Sequence, residues 1–176
     1  VVAQLGALAA ARELLAGLAA LLRQAEAASF QNVDVLAARR VQRRLQLEVD
    51  AAEQLDRLRG GVDALELEKA VARGASLRLP RACGLGALED RLERLRTQQP
   101  LVQAMAAALA ELPEGAGNLS NRAAEQFEDL AKAVRAAGLE GAAAWLPELG
   151  GAERFGEVLG RLAARRAERP EDEAAA

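Results

Sequence analysis

The 176 residues carry 23 basic and 26 acidic side chains, one cysteine and no histidine, and alanine (43) with leucine (30) makes up more than two fifths of the chain. The missing histidine removes the commonest general base and metal ligand, along with every Ser-His or Cys-His nucleophile pair. The charge is +1 over residues 1–112 and −4 over 113–176, which excludes the strongly basic domain expected of a nucleic-acid binder.

Isoleucine and tyrosine are absent and aromatics number four, so the residues that favour strands are scarce and strong helix formers dominate. The expected fold class is all-α, with the composition of long helices and coiled coils. Arg12, Glu13, Arg23 and Glu26 interrupt the Ala/Leu-rich start, leaving no apolar run near the ~20 residues a membrane span requires. No basic segment leads into a small-residue cleavage site. The start at Val1 rather than Met suggests a fragment of a larger protein. Cys83 alone fits a reducing, cytoplasmic setting.

In chain order, residues 2–28 read as a first helix. Leu8, Ala11, Leu15, Leu18, Leu22 and Ala25 alternate three and four apart as a seam, which Leu14 and Leu21 widen. "SFQN" offers a turn with Asn32 as N-cap of the next helix. That second helix is expected to run over 33–73, about 60 Å at 1.5 Å per residue. Gly60-Gly61 opposes this by roughly 2 kcal/mol, but Leu55, Leu58, Val62 and Leu65 keep phase across the glycines. The competing reading stops at Gly60 and restarts at Asp63, whose spacing to Glu66 resembles a capping box.

"GASLRLPRACG", residues 74–84, is the first break. The third helix follows with Leu85, Leu88, Leu92, Leu95, Gln99, Val102, Ala106 and Leu109 at heptad core positions. Pro100 interrupts that run and predicts a kink between coaxial halves, not a reversal. "LPEGAGN", residues 112–118, is a second break. A fourth helix over 119–137 buries Ala123, Phe127, Leu130, Val134 and Ala137, with Gly138 as its stop. A short helix at 140–146 and a last one over 151–168, buried through Phe155, Leu159 and Leu162, precede a charged, disordered tail at 170–176.

Three long helices joined by short turns predict an elongated antiparallel three-helix rod over 1–112, with a helical appendage over 113–169 packed on it and capping one end. In helix number and length this rod is similar to spectrin-type repeats. The first helix lacks their typical tryptophan, so no family is assigned.

Catalytic and cofactor chemistry is not found. Cys83 has no activating partner in the sequence. The Gly-x-Gly of "CGLGALED" has Glu89 where a dinucleotide fingerprint needs its third glycine, and no GxxxxGK phosphate loop exists. Asn118-Leu119-Ser120 matches a glycosylation sequon, but a helix cap is the preferred reading. The expectation is no enzyme, no cofactor, no metal and no small-molecule substrate.

One stretch calls for a partner. "LAARRVQRRLQ" holds Arg39, Arg40, Arg43 and Arg44. With Arg39 at zero, Arg43, Arg40 and Arg44 fall at about 40°, 100° and 140° on a helix, opposite Val41, Leu45, Val49 and Ala52 at about 200–280°. Leu36 and Leu47, at about 60° and 80°, lie inside the arginine arc. Three readings are open: a solvated face, a protein contact, or a phosphate-binding stripe. The last is disfavoured because stacking aromatics are missing. Leu36 and Leu47 favour a surface that touches protein, since arginine stems cover apolar surface while their heads stay wet. Trp145 is a further candidate, either core of the appendage or an anchor for a partner. The function expected is a self-associating, homodimeric scaffold or interaction segment. The alternative is a regulatory or tethering adaptor whose groove takes a partner helix. Protein is the expected partner, and nucleic acid and membrane are disfavoured.

Overall fold

The computed structural model describes residues 8–110 and 121–168. All regular structure among them is helical: α1 (Leu8–Ala27), α2 (Val33–Arg57), α3 (Ala64–Ser76), α4 (Leu85–Ala110), α5 (Asn121–Ala136) and α6 (Gly151–Glu168), with short 3-10 turns at Arg81–Cys83, Ala142–Ala144 and Pro147–Leu149. The chain groups into two compact units, divided between Glu93 and Arg94. The break at 112–118, the sequon and the tail at 170–176 lie outside the described residues.

In the first unit the expected α1 seam forms, with Ala11 and Leu22 buried and Leu8, Leu15, Leu18 and Ala25 half-buried. Leu14 and Leu21 do not widen it, being 44% and 63% exposed. Asn32 caps α2 through its Oδ1, which accepts from the Val35 N–H at 2.8 Å. Arg12 pairs with Glu53 and Arg39 with Glu26, so α1 and α2 run antiparallel. On α2, Leu45, Val49 and Ala52 are buried as expected, whereas Val41 is exposed.

The continuous helix over 33–73 is not observed. The chain leaves α2 at Arg57 and restarts at Asp63, whose Oδ1 accepts from the Leu65 and Glu66 N–H groups at 2.9 and 3.1 Å. The carbonyls freed in the turn are taken up by α4. Arg91 donates from Nε to Gly61 O at 2.7 Å and from Nη2 to Gly60 O at 3.0 Å. Two glycines lower the cost of leaving the helix, and the cap and the guanidinium satisfy the polar groups that leaving exposes. Val62 and Leu65, which kept phase in the sequence, are exposed; Leu67 and Ala70 are buried instead. The long second helix of the expected rod is therefore two helices.

The third expected helix, α4, continues through Pro100, which is exposed. Its seam holds heptad register at Leu85, Leu88, Leu92 and Leu95 and then slips by one residue. Gln98 and Met105 are buried, while the expected Gln99 and Ala106 are half-buried. The slip has a polar cause. Gln98 Nε2 donates to Ala144 O at 2.8 Å and its Oε1 accepts from the Leu146 N–H at 2.7 Å, so both ends of a buried amide are satisfied.

In the second unit Met105, Phe127, Leu130, Val134, Leu139, Trp145 and Val158 form the core. The α5 face is the expected one, and α5 closes at Gly138. The helix expected at 140–146 is a single 3-10 turn at Ala142–Ala144, and a second follows it at Pro147–Leu149. On α6 the buried position is Val158, with Leu159 exposed and Phe155 and Leu162 half-buried.

Candidate protein-contact surface

The first fifteen residues of α2, 33–47, present the leucines and arginines singled out in the sequence. Leu36 and Leu47 are 57% and 48% exposed, and Val33 and Val41 are exposed beside them. Val33, at about 120°, falls inside the arginine arc, whereas Val41, at about 200°, lies beyond its edge.

The four arginines are not equivalent. Arg39 reaches back to α1 and donates to Glu26 at 2.9 Å. Arg44 donates from Nε to Glu48 Oε1 at 2.9 Å, and the Glu48 side chain is only 3% exposed. A carboxylate that far from water is held by a charge-assisted bond of this kind. Asp50, one heptad from Arg43, accepts instead from Gln46 at 2.7 Å. Among the described residues Arg40 and Arg43 form no ion pair. These two exposed guanidiniums lie on either side of the Leu36–Leu47 line.

Trp145 does not join this surface. It is buried in the second unit, donates from Nε1 to Leu139 O at 2.9 Å, and stacks on Phe155 with ring centroids 6.2 Å apart. Its polar handle is thus satisfied inside the core.

A second exposed pair escaped the sequence reading. Leu14 and Leu21 lie one heptad apart beside the α1 seam, and the residues between them, Leu15 to Ala20, are all uncharged. Their spacing was legible; their exposure was not, because it depends on which side of α1 packs against α2.

Burial pushes the Cys83 thiol above its ordinary pKa, which reduces the thiolate available at neutral pH. Among the described residues no group of three or more His, Cys, Asp or Glu side chains could hold a metal ion, and no helix is long and apolar enough to cross a membrane. A 440 Å³ groove between α4 and α5 is lined largely by Leu101, Ala104, Ala108, Leu130 and Ala133. Its one titratable lining residue, Asp129, is paired with Lys132 at 3.0 Å. Compared with protein-family models, curated proteins and solved structures, the chain matches none.

Proposed function

We propose that the chain is a helical scaffold segment whose task is protein–protein contact, and that it self-associates through α1. In this reading the first unit is an antiparallel, coiled-coil-like bundle with one side left for a second copy. The observation that carries it is the exposed Leu14/Leu21 pair. A two-fold antiparallel meeting of two α1 helices sets Leu14 against Leu21 of the second copy. Gly17 lies between, small enough for close approach, with Leu18 beside it, and Arg12 and Arg23 of that register fall on the opposite side of the helix, at about 160° and 180° from Leu14. Large apolar side chains grouped on one face mark interaction sites more often than chance.

Light scattering over a range of concentrations tests the reading. The wild-type chain is expected to dimerise, and the double substitution Leu14→Gln, Leu21→Gln to leave a monomer with unchanged circular dichroism. A wild-type chain that stays monomeric at the highest concentration sinks the proposal. The adaptor reading draws its support from a different surface, the exposed face of α2.

A further inference from the structure

We infer that the outer face of α2 docks an acidic amphipathic helix of another protein. The inference deepens the scaffold reading and takes from it the premise that this chain binds protein. Leu36, Leu47 and Val33, at about 60°, 80° and 120° on the helix, are the apolar contacts, spread along about 21 Å, and all three are exposed. Arg40 and Arg43 supply cationic positions not neutralised within the described chain. A complementary partner offers leucine-like side chains three and four apart, with Glu or Asp beside them to meet the two guanidiniums.

A second copy does not fit here. A two-fold antiparallel pairing that sets Leu36 against Leu47 of the second copy also sets Arg40 against that copy's Arg43, and a parallel pairing sets each arginine near itself. Like charges facing across an interface oppose association. The contrast with α1, where the same operation puts only uncharged residues on the contact line and leaves Arg12 and Arg23 on the far side of the helix, separates the two surfaces by chemistry.

An anionic membrane fits less well than a helix. Arg40, at about 100°, lies between Leu36 and Leu47 on one side and Val33 on the other. Inserting those apolar residues would carry a cation into the middle of the buried arc, whereas interfacial helices keep cations on the opposite face. Nucleic acid would leave the leucines without a role, and α2 has no aromatic residue on which a base could stack.

The test pans a display library of four-turn helical peptides against the full chain. Enriched peptides are expected to combine leucine-like residues at helical spacing with flanking Glu or Asp. Affinity of one such purified peptide is expected to fall about tenfold or more with Arg40→Glu, Arg43→Glu, and to return when the peptide's own acids become lysines. Leu36→Ser, Leu47→Ser should weaken binding as well, with circular dichroism unchanged in both variants. No enrichment, enrichment without acids, or affinity indifferent to the α2 substitutions overturns the inference. So does phosphatidylserine-vesicle binding that depends on the same residues, or loss of self-association in the Arg40→Glu, Arg43→Glu variant. A chain that is monomeric yet binds the acidic peptide refutes self-association through α1 alone. A dimer that selects no peptide refutes the α2 inference alone.

Discussion

The two units dispose of their apolar side chains in opposite ways. The second closes over its aromatic residues: Trp145, stacked on Phe155, and the buried Gln98 amide all find partners inside it. The first leaves Leu14, Leu21, Phe30, Val33, Leu36, Val41, Leu47, Val62 and Leu65 outside, against Leu159 alone among the described residues of the second. Exposed apolar surface gains nothing for the folding of an isolated chain, because the hydrophobic effect rewards only area removed from water. On the proposed reading, contact with other proteins falls on the first unit, whose apolar side chains exceed its own core.

The sharpest break of this comparison is Trp145→Ala. It empties the centre of the second unit, removes the ring under Phe155 and leaves Leu139 O without its donor. A loss of about 3–5 kcal/mol is expected, read by chemical denaturation followed by circular dichroism. A loss below 1 kcal/mol would mean the second unit is not held by its aromatic core, and the contrast would fail.

Gly151→Ala probes the same core more gently. A Cβ built on Gly151 would lie 2.6 Å from Trp145 Cε3 and Cζ3 and 2.7 Å from Val102 Cγ2. An aromatic ring held by a hydrogen bond and a stacking partner cannot swing aside as a flexible chain end would. The expected loss is about 1–3 kcal/mol, accompanied by a change in the emission of Trp145, the chain's single tryptophan. Unchanged emission and stability would show that the ring is free to move.

What the sequence disclosed follows the range of the interaction. The α1 seam, the Asn32 cap, the α5 face and the Gly138 stop depend on residues within about two turns, and these were legible. The break at Gly60-Gly61 was misjudged because, where leucine is so common, a 3-4-3 phase can persist by coincidence; Val62 and Leu65 kept the phase and stayed exposed. What closes that break is Arg91, about 30 residues on, reaching back to both glycine carbonyls. Gln98 escaped for the same reason. A glutamine reads as polar until Ala144 and Leu146 are brought to it. On the candidate surface, Leu36 and Leu47 among arginines were visible as a helical angle, whereas the division of the arginines into paired and unpaired needed α1 and the depth of Glu48.

The smallest expected effect concerns how each unit stops its helices. Three helices end in the same hydrogen-bonded motif: α1 through Phe30 N to Ala25 O and Ser29 N to Glu26 O, α3 through Leu79 N to Gly74 O and Arg78 N to Ala75 O, and α5 through Leu139 N to Val134 O and Gly138 N to Arg135 O. The motif puts one residue in the left-handed region, at φ 53° for Ser29, 57° for Arg78 and 69° for Gly138. Only the second unit uses glycine there; the first holds two side chains in a conformation that costs them steric energy. Substituting Ser29→Gly or Arg78→Gly is expected to stabilise by about half to one kcal/mol, the steric relief being partly offset by the greater freedom of glycine in the unfolded chain. Gly138→Ala is expected to destabilise by about 1 kcal/mol and to be visible in Trp145 emission, since Leu139 next to it accepts the indole N–H. Leu79 and Leu139, which follow the left-handed residue of α3 and α5, are buried, whereas Phe30, which follows that of α1, is exposed. The α1 stop therefore lacks the apolar contact that usually accompanies the motif, and Ser29→Gly should gain the most of the pair. A larger gain at Arg78 in denaturation followed by circular dichroism would place the weak joint of the first unit at the end of α3 instead.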